Sequence, residues 1–183
     1  DKIKMSYITK TNLSMGPQFG SQMSQYAGLL ALSQHLNSDI VFFKEYMELF
    51  RGVKLFEAFD LNHSIKNISE GTHTTYTLKD EICDKEVFNL DPNTNWDIQG
   101  WFHLYHYWEN YESLIKDTFK FKDAILEQAT AKIEEVKEGE NYPIVSVHFR
   151  RGDYLQVASL NLTLDYYNEA ISIFLEKFPY FKL

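Results

Sequence analysis

Two adjacent arginines, Arg150 and Arg151, followed by Gly152, Asp153 and Tyr154, are the residues whose types and spacing suit chemistry best. A guanidinium is planar, permanently charged and presents its donors as a fork that matches phosphate oxygens. Ahead of the pair runs Val145-Ser146-Val147-His148-Phe149, a β-branched apolar stretch after Pro143 that reads as a buried strand. A helical pattern over residues 164–178 follows. The arginines therefore fall in a loop between the carboxyl end of a strand and a helix, where open α/β sheets place their ligands. Two cations there are costly unless something anionic meets them, and the expected ligand is a phosphate or pyrophosphate.

The elements that must position such a loop can be read along the chain. Residues 3–8 alternate apolar and polar and predict a first strand; residues 12–20, with Gly16, Pro17 and Gly20, are turn chemistry. Met23, Tyr26, Ala27, Leu30 and Ala31 recur at helical spacing, predicting an amphipathic helix from near Gly20 to just before Asn37. Residues 40–43 are a short apolar run and a second strand. Together these make a βαβ unit whose glycine-bearing loop offers N–H groups at a helix start, a setting for an anion or substrate. Residues 55–59 read as a short helix or strand, and 64–84 as a polar surface excursion. Residues 111–122 and 123–137 read as two further helices, the second with a solvated, glutamate-rich face. The stretch Lys137-Glu138-Gly139-Glu140-Asn141 before Pro143 reads as a linker, which divides the chain into a domain over 1–140 and the start of another over 141–183.

A second chemical stretch is Gly100-Trp101-Phe102-His103-Leu104-Tyr105-His106-Tyr107-Trp108. Alternating aromatic and histidine positions could line a polyol-binding cleft with stacking faces and donors, or could simply cover the sheet. Both readings stand at this level. His103 and His106 are at a helical metal-ligand spacing, but no further ligand completes a set, so no metal is expected.

Composition narrows the classes. The hydrophobic share of 44% and charged share of 24% are ordinary for a globular protein, whereas 16% aromatic content is high. A formal net charge of −8 argues against general nucleic-acid binding, so any anion site is a local positive pocket. Cys83 is the lone cysteine and can form no internal disulfide, which fits a reducing compartment. No apolar run is long enough for a membrane span and no leader pattern opens the chain, so the expected location is cytoplasmic. The sequons at Asn12, Asn62, Asn67 and Asn161, and the Arg151-Gly152-Asp153 triplet as an adhesion signal, carry no weight in that setting.

Three separated stretches together resemble one family. His148-Phe149-Arg150-Arg151-Gly152-Asp153-Tyr154 is similar to the H-x-R-R-G-D-Y motif shared by α-1,2-, α-1,6- and protein O-fucosyltransferases. Phe19-Gly20-Ser21-Gln22-Met23-Ser24-Gln25-Tyr26-Ala27 resembles G-G-L-G-N-Q-M-F-Q-Y-A, and Gly100-Trp101-Phe102-His103 takes the place of G-Y-F-Q. Leu164-Asp165-Tyr166-Tyr167 with Ala170-Ile171 is similar to the D-Y-Y-x-x-A-I after the arginine loop. Their order and spacing are those of the bacterial α-1,2-fucosyltransferases, glycosyltransferase family 11. Departures are concentrated in the N-terminal stretch and in Gly100–His103: Pro17 and Gln18 replace paired glycines, Ser21 an asparagine, Ser24 an aromatic, and His103 a glutamine. They bear on the acceptor more than on the donor.

The resemblance implies an α/β, GT-B-like fold, with an N-terminal Rossmann-like acceptor lobe followed by the first βα unit of a donor lobe. Later family segments that complete the donor site are not in these 183 residues, so the expectation is an N-terminal part of a longer enzyme, inactive alone. It also implies inverting transfer of L-fucose from GDP-fucose to the 2-hydroxyl of a galactose-containing glycan, with no metal and no cofactor beyond the donor, in surface-polysaccharide (O-antigen) assembly. Peripheral association with the inner face of the membrane is compatible with that setting. Arg150, Arg151, His148 and Asp153 are the implied catalytic loop; the motifs do not identify an acceptor-side base, for which His103 is a candidate. Gly20, Ser21, Gln22, Trp101, Gly152 and Tyr154 are the implied substrate-binding residues. The rival is an inactive fucosyltransferase-like fragment serving as a carbohydrate- or nucleotide-binding module.

Overall fold

The computed structural model describes residues 6–15, 18–49, 53–67, 72–79, 82–139, 143–149, 152 and 162–178. The chain divides into two compact units, Asp1–Lys122 and Asp123–Leu183. The stretch at 137–141, read as a linker, lies inside the second unit, and the helix before it belongs to that unit too.

The first unit is built on a five-stranded sheet in the order β3-β2-β1-β5-β4, with every pairing parallel. Its strands are β1 (Tyr7–Thr9), β2 (Asp39–Phe43), β3 (Ser64–Lys66), β4 (Thr74–Thr77) and β5 (Trp96–Gln99). The register pairs Ile8 with Ile40 on one side of β1 and Thr9 with Asp97 on the other. A parallel strand inside a sheet is covered on both faces, so its sequence reads as a continuous apolar run. Ile40-Val41-Phe42-Phe43 is such a run, buried throughout. This is the Rossmann-like α/β arrangement expected for the N-terminal part of the chain.

Helix α1 (Phe19–Leu36) follows β1 and differs from the amphipathic helix expected. Every residue from Gln25 to Ser33 is buried, so the helix is enclosed rather than half-solvated. Tyr26 packs on Phe42 and, edge-on, against Phe119, while Gly28 faces Phe102 so closely that an added Cβ would lie 2.1 Å from the ring. The helix ends at Asn37, which takes the left-handed conformation (φ 52°) and donates its N–H to the Ser33 carbonyl. Short helices α2 (Lys44–Met47) and α3 (Leu55–Ala58) lead to β3, and α4 (Glu112–Thr118) follows two 3-10 turns after β5.

The polar excursion expected over 64–84 is instead the source of both edge strands. An edge strand meets solvent along one side and needs no apolar run; Thr74, Thr75 and Thr77 supply β-branched side chains without one. In the second unit, α5 (Asp123–Lys137) and α6 (Leu164–Lys177) lie where the periodicity predicts helices, and the Thr163 hydroxyl caps α6 by accepting the Tyr166 N–H at 3.4 Å. The buried strand expected at 145–149 is not formed: these residues join no ladder, and Phe149 is 46% exposed. The segment rests on α6 through Tyr167, whose ring lies 4.2 Å from that of Phe149 and whose hydroxyl donates to the His148 carbonyl at 3.5 Å.

Candidate functional site

Strand β1 is where the order of the sheet reverses, with β2 and β3 on one flank and β5 and β4 on the other. Ligands of open α/β sheets gather outside the carboxyl ends of the strands at such a reversal. There the chain leaves β1 through residues 10–15 toward the start of α1, and leaves β5 through Gly100-Trp101-Phe102-His103.

Four polar residues tie these two exits together. Asp97 is buried, its Oδ1 accepting the Thr11 backbone N–H at 3.0 Å and its Oδ2 accepting the Thr11 hydroxyl at 2.8 Å and the Gln99 amide at 2.6 Å. The same Gln99 Nε2 donates to Thr11 Oγ1 at 3.0 Å, which closes a ring of three side chains. Lys10, also buried, donates from Nζ to the carbonyls of Ile98 (3.1 Å) and Gly100 (2.6 Å). A buried ammonium and a buried carboxylate are each tolerable only when their hydrogen-bonding capacity is met. Nearby, burial pushes the Tyr7 phenol upward, with the Asp97 carboxylate adding to the effect.

Gly100 makes the turn out of β5 at φ 91°, a conformation that L side chains rarely adopt. Beyond it the side chains alternate: Trp101 is 41% exposed, Phe102 fully buried and His103 exposed. Phe102 descends onto Gly28 and stands edge-on to the buried Tyr107. The two readings of the aromatic stretch thus divide by residue. Phe102 and Tyr107 are core; Trp101, His103 and Tyr105 face outward. An exposed indole face packs well on a sugar ring, and an exposed imidazole next but one to it can accept a hydroxyl proton. His106 pairs instead with Glu109, Nδ1 to Oε2 at 3.8 Å.

Of the other residues singled out in the sequence, Gly20 and Ser21 lie in the first turn of α1, with open space around the Gly20 Cα. The Ser21 carbonyl accepts from Ser24 Oγ and Gln25 Nε2. Gln22 is buried, and its Oε1 accepts the Lys54 N–H at 2.8 Å, which anchors the entry to α3. In the second unit His148 and Gly152 are exposed. Arg150, Arg151, Asp153 and Tyr154 lie outside the described residues, as do Gly16 and Pro17 of the first loop. Lys10, Thr11, Asp97 and Gln99 are not evident from motifs. The signal for them is an anomaly of pattern: a lysine directly after a short strand, and a carboxylate set between Trp96 and Ile98.

Among the described residues no helix is long and apolar enough to cross a membrane. No curated protein and no solved structure matches the chain. A family model does: that of glycosyl transferase family 11, over residues 2–178. That match takes in both units and all three motif stretches, and the chain belongs to glycosyl transferase family 11.

Proposed function

We propose that the protein is an α-1,2-fucosyltransferase of GT-B-like design, which moves L-fucose from GDP-β-L-fucose to the 2-hydroxyl of a galactoside with inversion and without a metal. Membership of a glycosyltransferase family supplies the reaction class. The observation that carries the finer reading is the intact His148-Phe149-Arg150-Arg151-Gly152-Asp153-Tyr154 stretch within that family match.

In the reaction the bond from fucose C1 to the β-phosphate oxygen breaks, and its electron pair stays on the phosphate. The acceptor oxygen forms the new bond to C1 from the opposite face and gives up its proton. Negative charge grows on the departing phosphate, and a guanidinium fixed there stabilises the transition state more than the ground state. One of Arg150 and Arg151 grips the β-phosphate with both prongs, and the other supports the loop or the nucleotide. His148 and Asp153 orient that loop. On the acceptor side, the outward indole of Trp101 offers a stacking face and His103 is the candidate base. Transfer takes place at the cytoplasmic face of the membrane, in surface-polysaccharide assembly.

The test is transfer from GDP-fucose to a panel of galactosides by the product of the complete reading frame, with the product linkage read by NMR. An α-1,2 linkage is expected. Arg150→Lys is expected to lower kcat on the order of 10²-fold, since an ammonium offers a point charge and no planar fork. Near-wild-type turnover by that variant refutes the clamp.

A further inference from the structure

We infer that the ring of Thr11, Asp97 and Gln99 is a positioning device that sets acceptor binding by locking the exit of β1 to the exit of β5. The inference rests on the fucosyltransferase reading above and adds to it residues in none of the motif stretches.

The ladder between β1 and β5 ends at the pair Thr9 and Asp97. Past that pair no strand pairing holds the two departing loops in register. The ring begins where the ladder stops. The backbone N–H of Thr11, two residues beyond the last pair, is taken by Asp97 Oδ1 at 3.0 Å, and Oδ2 gathers the Thr11 hydroxyl and the Gln99 amide. Gln99 in turn is bound to Thr11 Oγ1, so none of the three can rotate without breaking two bonds. Immediately after Gln99 come Gly100, whose carbonyl is held by Lys10 at 2.6 Å, and the outward Trp101 and His103. Bonds to a carboxylate are stronger than neutral ones, and closed polar networks stiffen what they join.

Stability alone does not call for this arrangement. A buried ionic group can often be replaced by apolar residues of similar volume without loss. What a charged, fully bonded ring provides is position, and groups that must meet a sugar hydroxyl need to be held to a fraction of an ångström by the bonds behind them. Its place at the order reversal of the sheet, on the two loops that converge there, is where such precision matters.

The donor and acceptor pattern of the ring can be inverted, which gives the experiment its control. In Asp97→Asn an amide replaces the carboxylate oxygen and confronts the Gln99 amide, donor against donor. Adding Gln99→Glu reverses the pair: the amide introduced at 97 donates to the carboxylate introduced at 99 and to the Thr11 oxygen, and the Thr11 hydroxyl turns to the new carboxylate. Thr11→Val removes the hydroxyl alone. In the product of the complete reading frame, with GDP-fucose and lactose as substrates, Asp97→Asn and Thr11→Val are each expected to raise the KM for lactose roughly tenfold, with the shift falling on lactose and not on the donor. Asp97→Asn/Gln99→Glu is expected to recover most of the Asp97→Asn loss. A lactose KM that stays at the wild-type value in Thr11→Val overturns the inference even where Asp97→Asn does not fold, and so does a double variant no better than Asp97→Asn. Wild-type protein that transfers fucose to no galactoside overturns the fucosyltransferase reading itself; wild-type transfer with unshifted variants overturns the ring alone.

Discussion

At Gly28 a single hydrogen atom decides how the candidate site is supported. A Cβ built there would lie 2.1, 2.4 and 2.5 Å from three carbons of Phe102, distances no packed pair of carbons tolerates. The ring has little room to retreat, since Phe102 is fully buried and held edge-on against Tyr107 at 5.1 Å. Gly28→Ala gains helix propensity of up to about 1 kcal/mol, while overpacking a filled core costs about 1–3 kcal/mol. The expected net result is a destabilised protein, read as a lower denaturation midpoint in urea with an unchanged slope. Because Phe102 stands between Trp101 and His103, the same substitution also displaces the outward pair. A variant as stable as the wild type would mean that the loop after β5 yields freely and does not depend on this contact.

At the level of elements, α1, β2, α3 and the residue before β3 meet around His63. Its ring lies 4.2 Å from that of Phe56, 5.5 Å from Phe42 and 6.2 Å from Tyr26, and the Tyr26 hydroxyl donates to the neighbouring Asn62 carbonyl at 3.0 Å. Burial lowers the His63 pKa from its ordinary 6.5, opposed in part by the Leu61 carbonyl. The unfolded chain therefore takes up a proton near pH 6.5 while the folded chain resists until lower pH, and proton uptake favours unfolding. The contribution is complete above pH 6.5 and declines as the pH falls below it toward the folded value. His63→Phe, which keeps a ring in the cluster, is expected to flatten the fall in thermal midpoint between pH 6.5 and the acid limit of the folded value; an identical slope in both proteins would put the titrating group elsewhere. In the sequence His63 is an isolated histidine in a polar stretch, and nothing local marks it as enclosed. The contrast is general in this chain. Helices α5 and α6 are legible because a period of 3.6 is written into each of them, whereas α1 is legible as a helix but not as an enclosed one, since its buried run from Gln25 to Ser33 has no polar face. The outer strands β3 and β4 are not, because an edge strand can be short and polar, and β5 is hidden by the buried Asp97 and the half-buried Gln99, whose partners lie on the β1 exit some ninety positions away. Of the candidate site, Trp101 and His103 are visible as a composition; the ring behind them depends on parallel pairing that no local pattern records.

For the whole molecule, the division after Lys122 sets what each part can do alone. The first unit closes on itself at that point: Phe121 bridges Phe59, the Lys122 N–H bonds to the Ala58 carbonyl at 3.0 Å, and the Lys122 Nζ bonds to the Phe56 carbonyl at 2.7 Å. Phe119 completes the seal, 5.1 Å from the Phe59 ring and 6.0 Å from Tyr26. All five strands lie before the division, so the fragment 1–122 holds the complete sheet and is expected to unfold cooperatively by itself, whereas a cut at 116 removes these closures and should leave a broad transition. The fragment carries Trp101, His103 and the Thr11, Asp97 and Gln99 ring, but neither Arg150 nor Arg151. A ligand that binds only the folded state raises its thermal midpoint. GDP is therefore expected to stabilise the product of the complete reading frame and to leave 1–122 unmoved. Stabilisation of 1–122 by GDP would transfer the phosphate site to the carboxyl edge of this sheet, beside the start of α1, and leave the arginine pair without the role proposed for it.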